Sequence, residues 1–206
     1  LPNPGNLFGV TESTLWGTEP EYDSGIAADW DGNGTVDFGE NLPDANVFKA
    51  AADALKSYSD ELASSIQAWE PSLSDAFTAL VVMVPTMSEY FGSWRDSRFV
   101  LGDASEQRDF VVISRLSDII DIVGGLELVY QQVLPIAEGA DADQAAQIAT
   151  GLTSLREFVA GVYGEEQGGR TFTPEDADTL GAEAQDRATA ITGQISQIAA
   201  QLGIEI

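Results

Sequence analysis

Among its 206 residues the chain has no cysteine and no histidine. The first absence removes disulfides, thiolate chemistry and zinc–thiolate sites. The second leaves the many serines without the partner that a nucleophilic triad needs. Bases are scarce: nine Lys plus Arg stand against 34 Asp plus Glu, a net charge of -25, and only Lys49 and Lys56 are lysines. A nucleic-acid groove is excluded, because phosphate binding needs clustered Lys and Arg. Docking on anionic membranes is disfavoured for the same reason. No run approaches the roughly 20 uninterrupted apolar residues of a membrane span. The first residue is Leu1, not Met, which reads as a processed or trimmed product whose signal or anchor has been removed.

What is present describes a folded protein. Apolar residues make up 44% of the chain and there are only 8 prolines, so a core can form. The length fits one domain or two small ones. The acid surplus has two compatible readings. It can be a surface adapted to high salt, where screening shortens the reach of self-repulsion, or a means of collecting divalent cations.

Residues 1–43 are rich in Gly, Pro, Asn and Asp and show little helical periodicity. They read as an irregular segment with a short helix near Thr11 to Trp16. From Asp44 onward the pattern is helical, giving a division into 1–43 and a bundle over 44–206, with the first segment packed on the second. Asp44 is a good N-cap, and Phe48, Ala51, Leu55, Leu62, Ile66 and Trp69 recur at three- and four-residue steps. A second helix is predicted over Ser72–Phe91 with a kink at Pro85, and a third over Glu106–Leu134, apolar on most sides. A fourth spans Asp141–Tyr163, followed by a flexible loop over Gly164–Gly169. Thr173-Pro174-Glu175-Asp176 then opens a fifth, whose stripe runs from Leu180 through Ala184, Ala188, Ile191, Ile195 and Ile198 to Leu202 before Gly203 ends it. The expected fold is all-α: an antiparallel bundle of about five helices with an irregular, calcium-binding N-terminal segment.

The calcium expectation rests on Asp29 to Glu40, which match the twelve-residue EF-hand loop. Asp29, Asp31 and Asn33 supply side-chain oxygens at positions 1, 3 and 5. Gly34 permits the positive φ of the sharp turn, and Thr35 offers its carbonyl. Val36 is the apolar anchor, Asp37 acts directly or through water, and Glu40 closes the shell as bidentate ligand. The flanks are poor long helices, so the loop is expected to be an isolated structural clip, not a paired sensor. Asn33-Gly34-Thr35 is formally a glycosylation sequon, but a glycan there would remove a ligand.

Three further stretches carry a family resemblance. Leu7-Phe-Gly9-Val-Thr-Glu12-Ser-Thr-Leu15-Trp16-Gly17 looks like a His-x-x-Glu segment followed by Leu-Trp-Gly. Ser114 to Asp121, with Gly125 to Tyr130 after it, is similar to an Asp-rich central helix. Ile191 to Ile206 looks like the matching C-terminus. Together they resemble the imelysin-like proteins and the periplasmic iron-uptake proteins of the EfeO and EfeM type. That resemblance implies a helical bundle outside the cytoplasm, often lipid-anchored, linked to iron uptake or metal binding. It also implies that any peptidase activity would reside in the His-x-x-Glu site.

The histidine of that site falls at Gly9, whereas its acidic partner is kept as Glu12. A zinc peptidase is unsupported without His or Cys ligands. An all-oxygen site of Glu12, Asp118 and Asp121 would suit a hard cation such as ferric iron. The competing reading is that Arg115, Arg95 or Arg98 pairs with the two aspartates. Trp94, Phe99 and Phe110 read as core. The leading expectation is thus a non-enzymatic, calcium-stabilised, extracytoplasmic binding module whose partners are divalent cations. Such a module would serve metal uptake or be attached to a larger surface protein; the rivals are a self-assembling subunit of a surface layer or filament in a salty habitat and a degenerate peptidase.

Overall fold

The computed structural model describes residues 7–15, 18, 20–29, 32, 34–36, 40–107 and 113–206. It divides into two compact units, one of Leu1–Glu70 with Gly102–Ile113, the other of Pro71–Leu101 with Ser114–Ile206. The compositional boundary at 43/44 is therefore not where compactness divides the chain.

The first unit contains helix α1 (Leu7–Leu15), strands β1 (Asp23–Ala27) and β2 (Asn41–Pro43), and helix α2 (Ala45–Gln67). The short helix expected near Thr11 to Trp16 begins earlier, at Leu7, and Trp16 lies outside the described residues. The antiparallel pairing of β1 with β2 was not expected, because neither strand alternates apolar and polar residues. Asp44 caps α2 as anticipated, accepting hydrogen bonds from the amides of Asn46 (2.9 Å) and Val47 (3.0 Å). The apolar stripe of α2 is only partly used. Ala51 is fully buried and Phe48 and Leu55 are half-buried, but Leu62 and Trp69 are 61% and 56% exposed. The nine-residue α1 that packs on α2 is too short to cover a helix of 23 residues.

The second unit holds the bundle. Helix α3 (Leu73–Met83) starts from a capping box in which Ser72 and Asp75 exchange hydrogen bonds. Pro85 does more than kink the expected second helix: a 3-10 turn over Val84–Thr86 separates α3 from α4 (Met87–Arg95). The four-residue α5 (Arg98–Leu101) follows. The central helix α6 spans Arg115–Ala140, so the expected start at Glu106 is corrected to the point where Ser114 caps the Leu116 amide. Residues 108–112 lie outside the described part. Helix α7 (Ala142–Gln167) extends through much of the expected glycine loop, and the chain turns at Gly169, φ 88°. Helix α8 (Pro174–Gln201) opens with the Thr173/Asp176 capping box and is followed by Gly203 at φ 69°.

In this unit α6 packs on α7, α7 on α8, α8 on α4, and α3 on both α6 and α8. Ala184, Ala188, Ile191, Ile195 and Ile198 of the α8 stripe are buried. By length and composition α6 would also serve as a membrane span, but Leu116, Ile119, Val123, Leu126, Tyr130 and Val133 line the bundle interior. Trp94 is fully buried, with Phe91 and Phe172 edge-on to its ring at 5.8 and 5.0 Å. Phe99 is partly buried against the core, and Phe110 falls outside the described residues. Each such buried side chain contributes roughly 1.5–3 kcal/mol, which makes the bundle the chief store of stability.

Candidate functional site

The loop at Asp29–Glu40 is carried by the ribbon, not by two helices. Asp23 pairs with Pro43 and Ala27 with Asn41, with an irregularity between them. Gly25, at φ 69°, and the Ser24 hydroxyl, which donates to the Leu42 carbonyl at 2.9 Å, accommodate the extra residues of β1. Beyond the strands, the Ala28 amide donates to the Glu40 carbonyl at 2.8 Å. Asp29 and Glu40, the first and last residues of the expected shell, are thereby brought to the same end of the ribbon.

Inside the loop the Gly34 amide donates to Asp29 Oδ2 at 2.9 Å, and Gly34 has φ 87°. That chain reversal is the one glycine was expected to provide. Glu40 is 8% exposed, whereas Val36, the expected apolar anchor, is 53% exposed. In paired hands that position packs on a second loop, and this loop has no second copy in the sequence. Of the expected ligands, Asp29, Thr35 and Glu40 are described; Asp31, Asn33 and Asp37 lie outside the described residues. The donor set is all oxygen, which fits a hard divalent cation.

The second expected site divides differently. Glu12 sits on α1 in the first unit, three residues from Gly9, while Asp118 and Asp121 sit on α6 in the second. Asp118 takes a hydrogen bond from Arg115 Nη1 at 2.9 Å, and the Arg115 guanidinium lies 4.5 Å from the centre of the Tyr90 ring. The ion-pair reading therefore accounts for Asp118, and Asp121 is exposed one turn later. Among the described residues no group of three or more carboxylates stands close enough to hold a metal.

Two polar features of the second unit have no signal in the sequence. Glu166 Oε2 accepts the Trp94 indole N–H at 2.6 Å and the Ser114 hydroxyl at 3.1 Å, joining α7, α4 and the start of α6. Those partners are 72 and 52 residues away in sequence, beyond any local pattern. Between α4 and α8 an open groove of about 360 Å³ runs past Phe91, Gly181 and Arg95. There Arg95 bridges Asp96 and Asp178; the Asp96 bonds, first among the causes, hold its proton more tightly and keep the Asp96 carboxyl below its ordinary range. Burial, and secondarily Glu138, raises the Tyr130 hydroxyl to about 12, and its proton goes to the Ala145 carbonyl.

These features define a helical-bundle protein with an appended acidic ribbon. A family model described as Imelysin matches residues 4–198, nearly the whole chain. The chain belongs to the imelysin family. No curated protein and no solved structure matches it.

Proposed function

We propose that this chain is a non-enzymatic, extracytoplasmic imelysin-like binding module, stabilised by calcium held in the loop Asp29–Glu40 and serving metal or iron uptake. The observation that carries the calcium part is loop closure. Gly34 donates to Asp29, while Ala28 and Glu40 are hydrogen-bonded across the loop's mouth. Asp29, Asp31, Asn33, Asp37 and Glu40 would give side-chain oxygens and Thr35 its carbonyl, the set a calcium ion takes. The absence of a histidine at Gly9 supports a binding role over a zinc-peptidase one. Membership of a family whose proteins are generally extracytoplasmic supports the location.

The test is calorimetric titration of EDTA-stripped protein with calcium and with ferric iron in high salt, beside Glu40→Gln and Glu12→Ala. One calcium event that vanishes in Glu40→Gln supports the clip. Iron binding that survives Glu40→Gln but fails in Glu12→Ala supports a second metal site that uses Glu12. Absence of calcium binding removes the reading.

One observation favours a second reading, a self-assembling surface subunit. The second half of α2 and the turn that follows it leave Leu62, Ile66 and Trp69 more than half exposed. Calcium-dependent polymerisation, followed by light scattering, would support it; a particle that stays small with and without calcium would not.

A further inference from the structure

Of the four long helices, the least acidic is also the one whose apolar face is least covered. Among the described residues α1 is the one element in substantial contact with α2, and it sets nine residues against 23. Beyond Leu55 this leaves Tyr58, Leu62 and Ile66 more than half exposed, at four-residue steps that put them on one face. Trp69, also more than half exposed, adjoins them in the following turn, where its amide donates to the Ile66 carbonyl at 3.2 Å. The flanks are small. The Ser59 and Ser65 hydroxyls donate to the carbonyls of Leu55 and Glu61 at 2.8 and 2.9 Å, so covering them strands no donor.

We infer that this face is where two copies of the chain pair, their α2 helices antiparallel about a two-fold axis. The order of the side chains fits that arrangement. An axis midway between Leu62 and Ile66 sets Leu62 against Ile66 of the partner subunit, and Tyr58 against the turn that carries Trp69. Aliphatic then meets aliphatic and aromatic meets aromatic. Charge selects a second copy as the occupant. At a net -25, like charge opposes contact between copies over most of the surface. Helix α2 holds both lysines of the chain, and carries two bases with three acids, against one and five in α8. Lys56 pairs with Asp60, and each lies two residues from Tyr58, turned about 200° from it around the helix. Glu61 is the one acid at the edge of the face. The exposed parts of the four large side chains offer on the order of 400–500 Å² per copy, and their neighbours extend the contact towards the about 800 Å² of a standard interface.

The experiment is sedimentation of the whole chain from about 10 μM to about 1 mM, with and without calcium, beside Leu62→Glu. The parent should dimerise whether or not calcium is present. It should do so more tightly at about 1 M than at about 0.1 M salt, because screening reduces the repulsion between copies. Leu62→Glu should weaken dimerisation roughly tenfold or more, with circular dichroism unchanged because that position is exposed. Register is read separately. The chain has no cysteine, so Leu62→Cys mixed with Ile66→Cys should give chiefly the mixed disulfide on oxidation. A parent that stays monomeric overturns the pairing, and a predominance of like-with-like disulfides overturns its antiparallel sense. The inference goes beyond the surface-subunit reading, because a two-fold interface closes on itself and ends at the dimer. Calcium-dependent polymer that persists in Leu62→Glu overturns the pairing and leaves that reading standing.

Discussion

At the scale of single residues, two glycines of α8 should respond in opposite directions to the same substitution. A methyl group on Gly181 would come within 2.8 Å of Phe91 Cβ, an atom held close to the α4 backbone. Gly181→Ala should therefore push α4 from α8 and cost about 1–3 kcal/mol. Gly193 is exposed and meets nothing within 4 Å, so Gly193→Ala should stabilise by about 0.5–1 kcal/mol through the unfolded chain's lost freedom. Urea unfolding of the two variants checks both signs. Glu166→Ala should cost about 2 kcal/mol, because it leaves the Trp94 indole N–H without its acceptor inside the core. The positive φ of Gly34 and the ion pair of Arg115 with Asp118 were legible residue by residue. The Glu166 junction was not, since it joins three elements that meet only after folding.

At the scale of elements, capping decides the helix starts, and it was the most readable part of the sequence. Asp44 and Thr173 cap where a capping side chain was read from the sequence, and Ser72 caps where the second helix was expected to start. The expected third helix began too early because an apolar run was read through a stretch where the real cap, Ser114, lay further on. The ribbon escaped notice because its pairing comes from the closure of a loop and not from alternation. The caps also give a pH dependence. Hydrogen bonds from the backbone and hydroxyl of Thr173 hold the Asp176 carboxyl below 3.8, and those of Ser72 do the same for Asp75. A carboxyl with a depressed folded pKa binds fewer protons folded than unfolded at that pH. Its contribution is therefore fully present above about pH 4 and is lost as pH falls through the folded value. Melting temperatures of the parent and Asp176→Ala should differ at pH 7 and converge as the pH falls through the folded value, when measured by circular dichroism.

At the scale of the whole molecule, the charge of -25 sets the response to salt. Several of the scarce bases serve as local ties: Lys49 with Asp53, Lys56 with Asp60, Arg187 with Glu183. These are exposed pairs of small worth, so screening them sacrifices little. Screening the excess acid gains more, because the Debye length falls from about 10 Å at 0.1 M to about 3 Å at 1 M salt. Scanning calorimetry between those concentrations should show the melting temperature rising; a fall would mean the ion pairs outweigh the net repulsion. On the calcium reading proposed above, calcium at 100 times its dissociation constant should add about 2.7 kcal/mol, read at amides of the first unit. The two units also share the chain in alternation, since residues 102–113 return to the first unit after the second has begun. A simple cut near Glu70 would thus leave part of the first unit attached to the bundle.

Asp141 is the C-cap of α6 and the N-cap of α7, so two helices of 26 residues each are joined by a single amino acid. This has a consequence in time. Almost no loop entropy opposes bringing these helices together, and their contacts are close in sequence. The hairpin can form early, whereas the packing of α4 on α8 joins segments some 80 residues apart in the chain. Mutations along the α6–α7 seam, such as Leu126→Ala or Leu152→Ala, should slow refolding, and mutations where α4 meets α8 should chiefly hasten unfolding.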